Sequence, residues 1–263
     1  MSLFIRTAVE MLPPFALGNP SRLSCCLSVA LFGAAALTAS AQIVQTDYVS
    51  ATASIPGGLT LSATDLLQTQ LASAARSASG DAAFYREESG YTVDLSRLSD
   101  GQFGTYGSSG LGGDGNYTVM PNNVTLTFTF DTSVNTLGYS LSAIRTFASW
   151  DDGRDGQSYS VKYATVFAPS TFNTLHTITP YNPSGLDDPA NTLVELTPTV
   201  GYLAENVSGL QFVFSGFENS GTAYREVDVT GIATPIPEPS IYGVVLCMVA
   251  LLVRSKSWRR SGA

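Results

Sequence analysis

The chain has 263 residues, of which 13% are charged, 44% are hydrophobic and 24 are glycine. This composition is too apolar for a disordered chain, and the length predicts one sizeable domain with additional segments. The net charge of −8 argues against nucleic-acid binding, because phosphate contacts need clustered Lys and Arg side chains.

The N-terminal residues 1–41 have the features of a secretory signal peptide. Arg22 precedes an apolar stretch at 25–38, which is followed by Ala39-Ser40-Ala41. Small residues at both ends of that triplet predict cleavage by signal peptidase before Gln42. A transmembrane anchor is the alternative, and Met1 or Met11 can be the true start.

The three cysteines and the single histidine limit the chemistry of the chain. Cys25, Cys26 and Cys247 all lie in terminal apolar segments, which excludes a disulfide framework or a thiolate zinc site in the remainder. His176 is the only histidine, and no nucleophile motif lies near it, so we expect a histidine on the surface.

Residues 42–235 form the predicted exported domain, which is acidic and β-rich. It contains 7 Lys and Arg and 19 Asp and Glu, a net charge of 7 − 19 = −12. Short alternating stretches separated by Gly, Asp and Pro turns predict an all-β, antiparallel β-sandwich. The predicted strands cover 124–130, 137–147, 158–167, 192–197, 209–215 and 223–232. The apolar residues from Ser62 to Ala78 have helical spacing, although the Thr and Gln content of this segment keeps a strand as the alternative.

The C-terminal residues 236–263 predict a transmembrane helix with a basic tail. Pro237-Glu238-Pro239 precedes an apolar run at 241–253, and four cations lie within 254–260. The run has 13 residues, fewer than the roughly 20 that cross a bilayer unaided. The cations favour a cytoplasmic end. An ordinary single-pass anchor after a proline-rich linker is the alternative.

The order of triplet, apolar helix and basic tail resembles the PEP-CTERM sorting signal of Gram-negative bacteria. That resemblance implies an exosortase as partner, which recognises Pro237, Glu238 and Pro239 and removes the tail. It also implies an intermediate anchored in the inner membrane, followed by the cell surface or extracellular matrix as destination.

Three segments of the exported domain resemble discoidin-type, galactose-binding-like domains. They are Leu98-Ser99-Asp100-Gly101 followed by Thr105, the turn and strand at 149–161, and the closing strand at 223–231. The resemblance covers about 95–232 and implies the jelly-roll form of the sandwich. It also implies a structural Ca²⁺ held by Asp100, Thr105 and Glu226, since such ions prefer oxygen ligands on loops. The alternative is a turn at Asp100 and a solvated Glu226.

One loop of the sandwich offers a candidate site for carbohydrate. Trp150 can stack on a sugar ring, and Arg154, Asp155 and Gln157 can bind hydroxyl groups. The alternative is that Trp150 closes the end of the hydrophobic core, with the nearby aspartates forming a turn.

These observations lead to one functional expectation and two alternatives. We expect a non-catalytic module that binds carbohydrate, with exopolysaccharide as its ligand, on a protein sorted by exosortase. The first alternative is a structural matrix protein without a specific ligand. A secreted glycan hydrolase ranks third, because nothing singles out a catalytic pair among the nineteen carboxylates.

Overall fold

The computed structural model describes residues 42–50, 55–80, 94–104, 117–150, 153–183, 190–215 and 221–236. Contacts separate residues 1–39 from 40–263, and every described residue belongs to the second unit. The predicted signal peptide, Thr105, the triplet at 237–239 and the run at 241–253 lie outside the described residues. No helix among the described residues has the length and hydropathy to span a bilayer.

Ten strands make up most of the described chain. They are β1 Ile43–Ser50, β2 Leu71–Ser79, β3 Thr118–Pro121, β4 Thr125–Phe130, β5 Tyr139–Trp150, β6 Tyr159–Thr165, β7 Ala168–Thr177, β8 Ala190–Pro198, β9 Ala204–Phe214 and β10 Gly221–Ala233. One α-helix, α1, spans Leu66–Thr69, and three short 3-10 helices span Pro56–Gly58, Leu95–Ser99 and Gly153–Asp155.

The strands form an antiparallel β-sandwich of two layers. One layer has the order β1-β8-β5-β10-β3, and the other has the order β2-β4-β9-β6-β7. The layers are joined by a short pairing of β5 with β9, where Tyr139 lies opposite Val207. The predicted all-β antiparallel sandwich is confirmed at this level.

The core lies between the two layers and is rich in aromatic side chains. The Tyr224 ring on β10 lies 4.8 Å from the Phe214 ring on β9 and 6.3 Å from the Tyr159 ring on β6, centroid to centroid. Phe128 and Phe212 meet edge to face within the second layer. These contacts bury the apolar positions that alternate along each strand.

The helix predicted from Ser62 to Ala78 is wrong over most of its length. Only Leu66–Thr69 is α-helical, and the strand β2 begins at Leu71. Asp65 caps the single helical turn through its side chain, which accepts hydrogen bonds from the amides of Leu67 and Gln68. Pairing of β2 with β4 supplies backbone hydrogen bonds that local helical spacing does not reveal.

The sandwich has two distinct ends, which the strand registers define. At the loop end, β5 finishes at Trp150 opposite Ala190, the first residue of β8. At the terminal end, β1 begins at Ile43 opposite Pro198, and β10 finishes at Ala233 opposite Tyr139. The chain therefore enters and leaves the described sandwich at the same end.

Candidate functional site

Three carboxylates are buried together where α1 packs on β10. Asp65 is the N-cap of α1 and is 3% exposed, while Glu226 and Asp228 on β10 are 0% and 1% exposed. Glu226 and Asp228 are two positions apart on one strand, so their side chains lie on the same face. The fold thus brings a residue from the N-terminal part of the domain against its last strand.

Each carboxylate has one oxygen that accepts a hydrogen bond from a nitrogen donor and one that, while the carboxyl groups are ionised, has no donor. Gln68 Nε2 donates to Glu226 Oε1 at 3.0 Å, the Ser62 amide donates to Asp228 Oδ2 at 2.9 Å, and the Leu67 amide donates to Asp65 Oδ1 at 2.5 Å. Asp65 Oδ2, Glu226 Oε2 and Asp228 Oδ1 are buried with no hydrogen-bond donor. Such oxygens are costly unless a proton or a cation neutralises them.

Burial raises the pKa of all three carboxyl groups. Desolvation, then the charges of Asp228, Asp100 and Asp65, raise the pKa of Glu226 to about 10. Desolvation also raises the pKa of Asp65 to about 7, with a further contribution from Asp228. The pKa of Asp228 is raised mainly by desolvation, against the opposing effect of its hydrogen bonds. The cluster therefore retains protons at neutral pH.

Among the residues that the structure describes, positive charge has little influence on this cluster. Several effects act on the pKa of Asp228, and the charge of Arg145, which lowers it, is the weakest of them. The Arg145 guanidinium is engaged elsewhere, with Nε 2.7 Å from Glu195 Oε1. Protons shared among the carboxyl groups are the remaining means of neutralisation within the described part of the chain, and Asp65 and Asp228 are close enough to hydrogen-bond.

Of the three predicted calcium ligands, Glu226 belongs to this cluster, and Asp100 influences it electrostatically. Asp100 lies at its exposed edge, where its charge raises the pKa of Glu226, and its own Oδ1 accepts from the Gln102 amide at 2.9 Å. Thr105 lies outside the described residues. Sequence reasoning missed Asp65 and Asp228; a carboxylate before Leu66-Leu67 and a second one on the closing strand were the available signals.

The carboxylate oxygens of the cluster are of the kind that binds calcium, but their arrangement does not complete a calcium site. Partnerless carboxylate oxygens are the hard ligands that Ca²⁺ prefers. In the described segments, however, no group of three or more His, Cys, Asp or Glu side chains has the spacing to hold a metal ion. A bound cation would therefore need side-chain movement or ligands beyond these carboxylates.

The predicted carbohydrate ligands are all interior residues. Trp150 is 3% exposed, and Arg154, Asp155 and Gln157 are buried as well. The Arg154 guanidinium lies 5.4 Å from the centre of the Trp150 ring, and the Tyr117 ring meets Trp150 edge on at 4.9 Å. In this arrangement Trp150 packs with Val119 and Ala223 in a small cluster of its own, and it presents no open face to a sugar.

Gln157 holds the turn after β5 to the two neighbouring strands. Its Oε1 accepts from Thr146 Oγ1 at 2.6 Å, and its Nε2 donates to the Thr146 carbonyl and to Thr192 Oγ1, each at 3.0 Å. Thr222 Oγ1 on β10 donates to the Gly156 carbonyl at 2.6 Å. This buried network fixes β5, β8 and β10 relative to one another at the loop end.

A second arginine extends the aromatic layer at the loop end. The Arg225 guanidinium lies 5.5 Å from the Tyr117 ring and 5.9 Å from the Phe103 ring. Arg225 is fully buried while Tyr117 is half-buried. Aromatic rings and guanidinium groups are thus packed together at this end, and the sequence pattern did not indicate Arg225 or Phe103.

His176 lies on the edge strand β7, opposite Val161. It is half-buried, and desolvation lowers its pKa below the ordinary value. This location agrees with the expectation of a histidine at the surface.

Comparisons with known proteins give remote structural neighbours. No family model matches the chain, and no curated protein matches it. Chitosan-binding module 1 of a chitosanase/glucanase from Paenibacillus sp. IK-5 has 13% identity and a TM-score of 0.39, covering 64% of this chain and 99% of the module. The module CBM32-1 of a family 31 glycoside hydrolase from Clostridium perfringens has 8% identity and a TM-score of 0.37, covering 59% and 93%. At these values the comparisons assign no family to this chain.

Proposed function

We propose that the chain is an exported surface protein whose β-sandwich is a non-catalytic module that binds carbohydrate. The terminal segments support export and exosortase sorting by their sequence, and the acidity of 42–235 favours an uncharged glycan over a polyanion. The ligand would bind at the loop end, where Trp150 and Arg154 act as positioning residues beneath the surface.

The observation that carries the proposal is the rigid layer under the loop end. Tyr117, Trp150, Arg154 and Arg225 form a chain of packed side chains, and Gln157 holds β5, which bears Trp150, to β8. Binding loops need such a scaffold, because unsupported segments must become ordered when the ligand binds, and the free energy of that ordering lowers the affinity. The proposal therefore places recognition on the loops and stability in these buried groups.

The arrangement of the acidic groups supports a role without catalysis. Glycoside hydrolysis needs two carboxyl groups facing each other across a sugar, about 5–9.5 Å apart. Asp65, Glu226 and Asp228 are the carboxyl groups that gather in the described structure, and all are inaccessible to a glycan.

The proposal includes a structural Ca²⁺ at the same cluster. Glu226 and Asp100, with Thr105, would hold it, and the partnerless oxygens of Asp65 and Asp228 would add negative charge beside it. The ion would supply the positive charge that the buried carboxylates lack.

A binding isotherm of the purified protein on the host's own extracellular polysaccharide tests the glycan proposal. We expect saturable binding, reduced in EDTA, and weakened several-fold by Trp150→Phe, which removes the indole from the aromatic layer. His176→Ala, on the opposite layer, serves as the matched control and should bind like the parent. Absence of saturation by the folded protein would overturn glycan binding and favour the structural alternative.

A further inference from the structure

Exposed large apolar side chains are concentrated at the terminal end of the sandwich. Seven such side chains occur among the described residues, and only Val49 lies elsewhere. The five most exposed, which we call the apolar rim, are Val134, Phe167, Val200, Ile232 and Ile236. Val134, Phe167 and Val200 lie in three different turns and are 83%, 75% and 67% exposed. Single exposed apolar residues are ordinary, whereas a group on one end marks an interaction surface.

Asn206 fixes three parts of the rim relative to one another. Its Nδ2 donates to the Leu137 carbonyl at 3.0 Å, and its carbonyl accepts from the Val166 amide at 2.9 Å. Its amide donates to Thr234 Oγ1 at 3.2 Å. The turns that carry Val134 and Phe167 and the exit of β10 are therefore held together at one corner of the sandwich.

The last residue that the structure describes belongs to the rim. Ile236 is the last described residue, and the apolar run of the sequence begins at Ile241, five residues later. Five residues reach at most about 18 Å when fully extended. If the apolar run lies in a bilayer, Ile236 lies within that distance of the membrane surface, at the same end of the sandwich as the other rim residues.

Charge is sparse at this end, although Glu205 follows the last turn as an exposed residue of β9. In the turns 131–138, 166–167 and 199–203 and the exit 234–236, Asp131 is the only charged residue. Its Oδ1 accepts a hydrogen bond from the Ser133 amide at 2.8 Å. These segments contain no Lys or Arg for attraction to anionic lipids, so apolar insertion is the interaction that they can make.

We infer that the apolar rim rests on the lipid surface while the C-terminal run is anchored in the membrane. This inference rests on the exosortase sorting of the proposed function and on the membrane-anchored intermediate that the sorting resemblance implies. The rim fixes the orientation of the sandwich, with the loop end directed away from the bilayer. It also keeps Pro237-Glu238-Pro239 at the interface, within reach of a protease embedded in the membrane.

Site-specific quenching in vesicles tests the inference with the full chain. The three native cysteines are replaced by alanine, and single cysteines are introduced as Phe167→Cys, Val200→Cys and the control Ser215→Cys. Ser215 is exposed and follows β9 at the loop end. Each variant carries an environment-sensitive dye and is reconstituted in phosphatidylcholine vesicles with nitroxide on the lipid headgroups. Circular dichroism verifies that each variant is folded.

We expect several-fold stronger quenching at positions 167 and 200 than at 215, without any requirement for anionic lipid. Flotation of the vesicles reports separately on the membrane anchor. Protein that fails to float overturns the anchor and the inference with it. Protein that floats with equal quenching at all three positions, or with quenching at only one rim position, overturns the inference and leaves the anchor intact.

Discussion

Glu226 carries a carboxyl group into the interior at a position where the strand offers no positive partner. Gln68 and the Gly101 amide stabilise it through hydrogen bonds, yet desolvation and the neighbouring carboxylates dominate. In the unfolded chain the same group titrates near pH 4.5. Folding therefore takes up a proton over most of the accessible pH range.

The pH dependence of stability follows with a definite sign. Between the unfolded and folded pKa values the native state binds more protons, so the free energy of unfolding decreases as pH rises from about 4.5 toward 10. Asp65 adds to this decrease up to its pKa of about 7. Each group contributes up to about 1.4 kcal/mol per pH unit. Thermal unfolding in EDTA should show a falling Tm from pH 5 to pH 8.

Glu226→Gln should flatten that profile, because the amide keeps the shape of the side chain and does not ionise. We expect the variant to exceed the parent in Tm at pH 8 and to approach it at pH 5. Asp131→Asn is the control, since the hydrogen bonds from Ser133 lower the pKa of this exposed carboxyl and place its titration below this range. A parent Tm that rises toward pH 8 would contradict the protonated cluster.

The backbone conformation of Asn206 affects the stability of the fold. It has φ of 57°, a region that costs residues with a Cβ roughly 1–2 kcal/mol and glycine little. Asn206→Ala loses the side-chain bond to Leu137 and retains the strain, whereas Asn206→Gly loses only the bond. Urea unfolding should place the Ala variant about 1 kcal/mol below the Gly variant. Asn173→Ala on the exposed strand β7 should stay within about 0.5 kcal/mol of the parent, and equal stability of the two Asn206 variants would refute the strain.

At the scale of the element, β10 organises the domain. It pairs with both β3 and β5 and carries Glu226 and Asp228 beneath α1. Its register shifts between Thr230 and Gly231, where the strand passes close to Ser140 and Leu66. This close approach allows the helix and the strand to enclose the carboxylates.

Gly231→Ala should disturb that approach. An added Cβ would lie 2.5 Å from the Ser140 carbonyl oxygen and 2.9 Å from Leu66 Cδ1, and overpacking of this kind costs about 1–3 kcal/mol. Ser215→Ala, at an exposed position, is the control and should stay within about 0.5 kcal/mol of the parent. Denaturant titration should show the larger loss for Gly231→Ala. A loss no greater than that of Ser215→Ala would show that β10 yields at this point.

At the scale of the whole molecule, the two ends of the sandwich differ in chemistry. The loop end has buried arginines, aromatic rings and a fixed polar network, while the terminal end has the apolar rim and both connections to the terminal segments. The carboxylate cluster links α1, the segment at Asp100 and the last strand, so a cation bound there would stabilise the entire sandwich.

Calcium should therefore raise the Tm of the parent at pH 8, where the buried carboxyl groups most need neutralisation. EDTA should reverse the increase, and Glu226→Gln should remove it. Magnesium is a useful comparison, because it demands a more regular shell of ligands. A Tm unaffected by calcium at pH 8 would remove the ion from the proposed function and leave protons as the neutralising species.

The amino-acid sequence by itself determined the secondary structure where local pattern and burial agree. Alternating residues predicted β4, β5, β6, β8, β9 and β10, because one face of each strand meets the core. It did not predict β1, β3 or β7, the last of which is an edge strand with mostly polar residues. For β2 it left helix and strand open, and pairing with β4 decided for the strand. The export and sorting predictions rest on the sequence alone and remain predictions.

Tertiary structure alone decided which distant residues meet. Asp65 and Asp228 are 163 positions apart, and no local pattern shows that they share a buried pocket with Glu226. The burial of Trp150 likewise depends on Tyr117 and Arg154, which approach it only once the layers have packed. Local spacing fixes which face a side chain occupies, whereas strand pairing and layer packing fix what that face contacts.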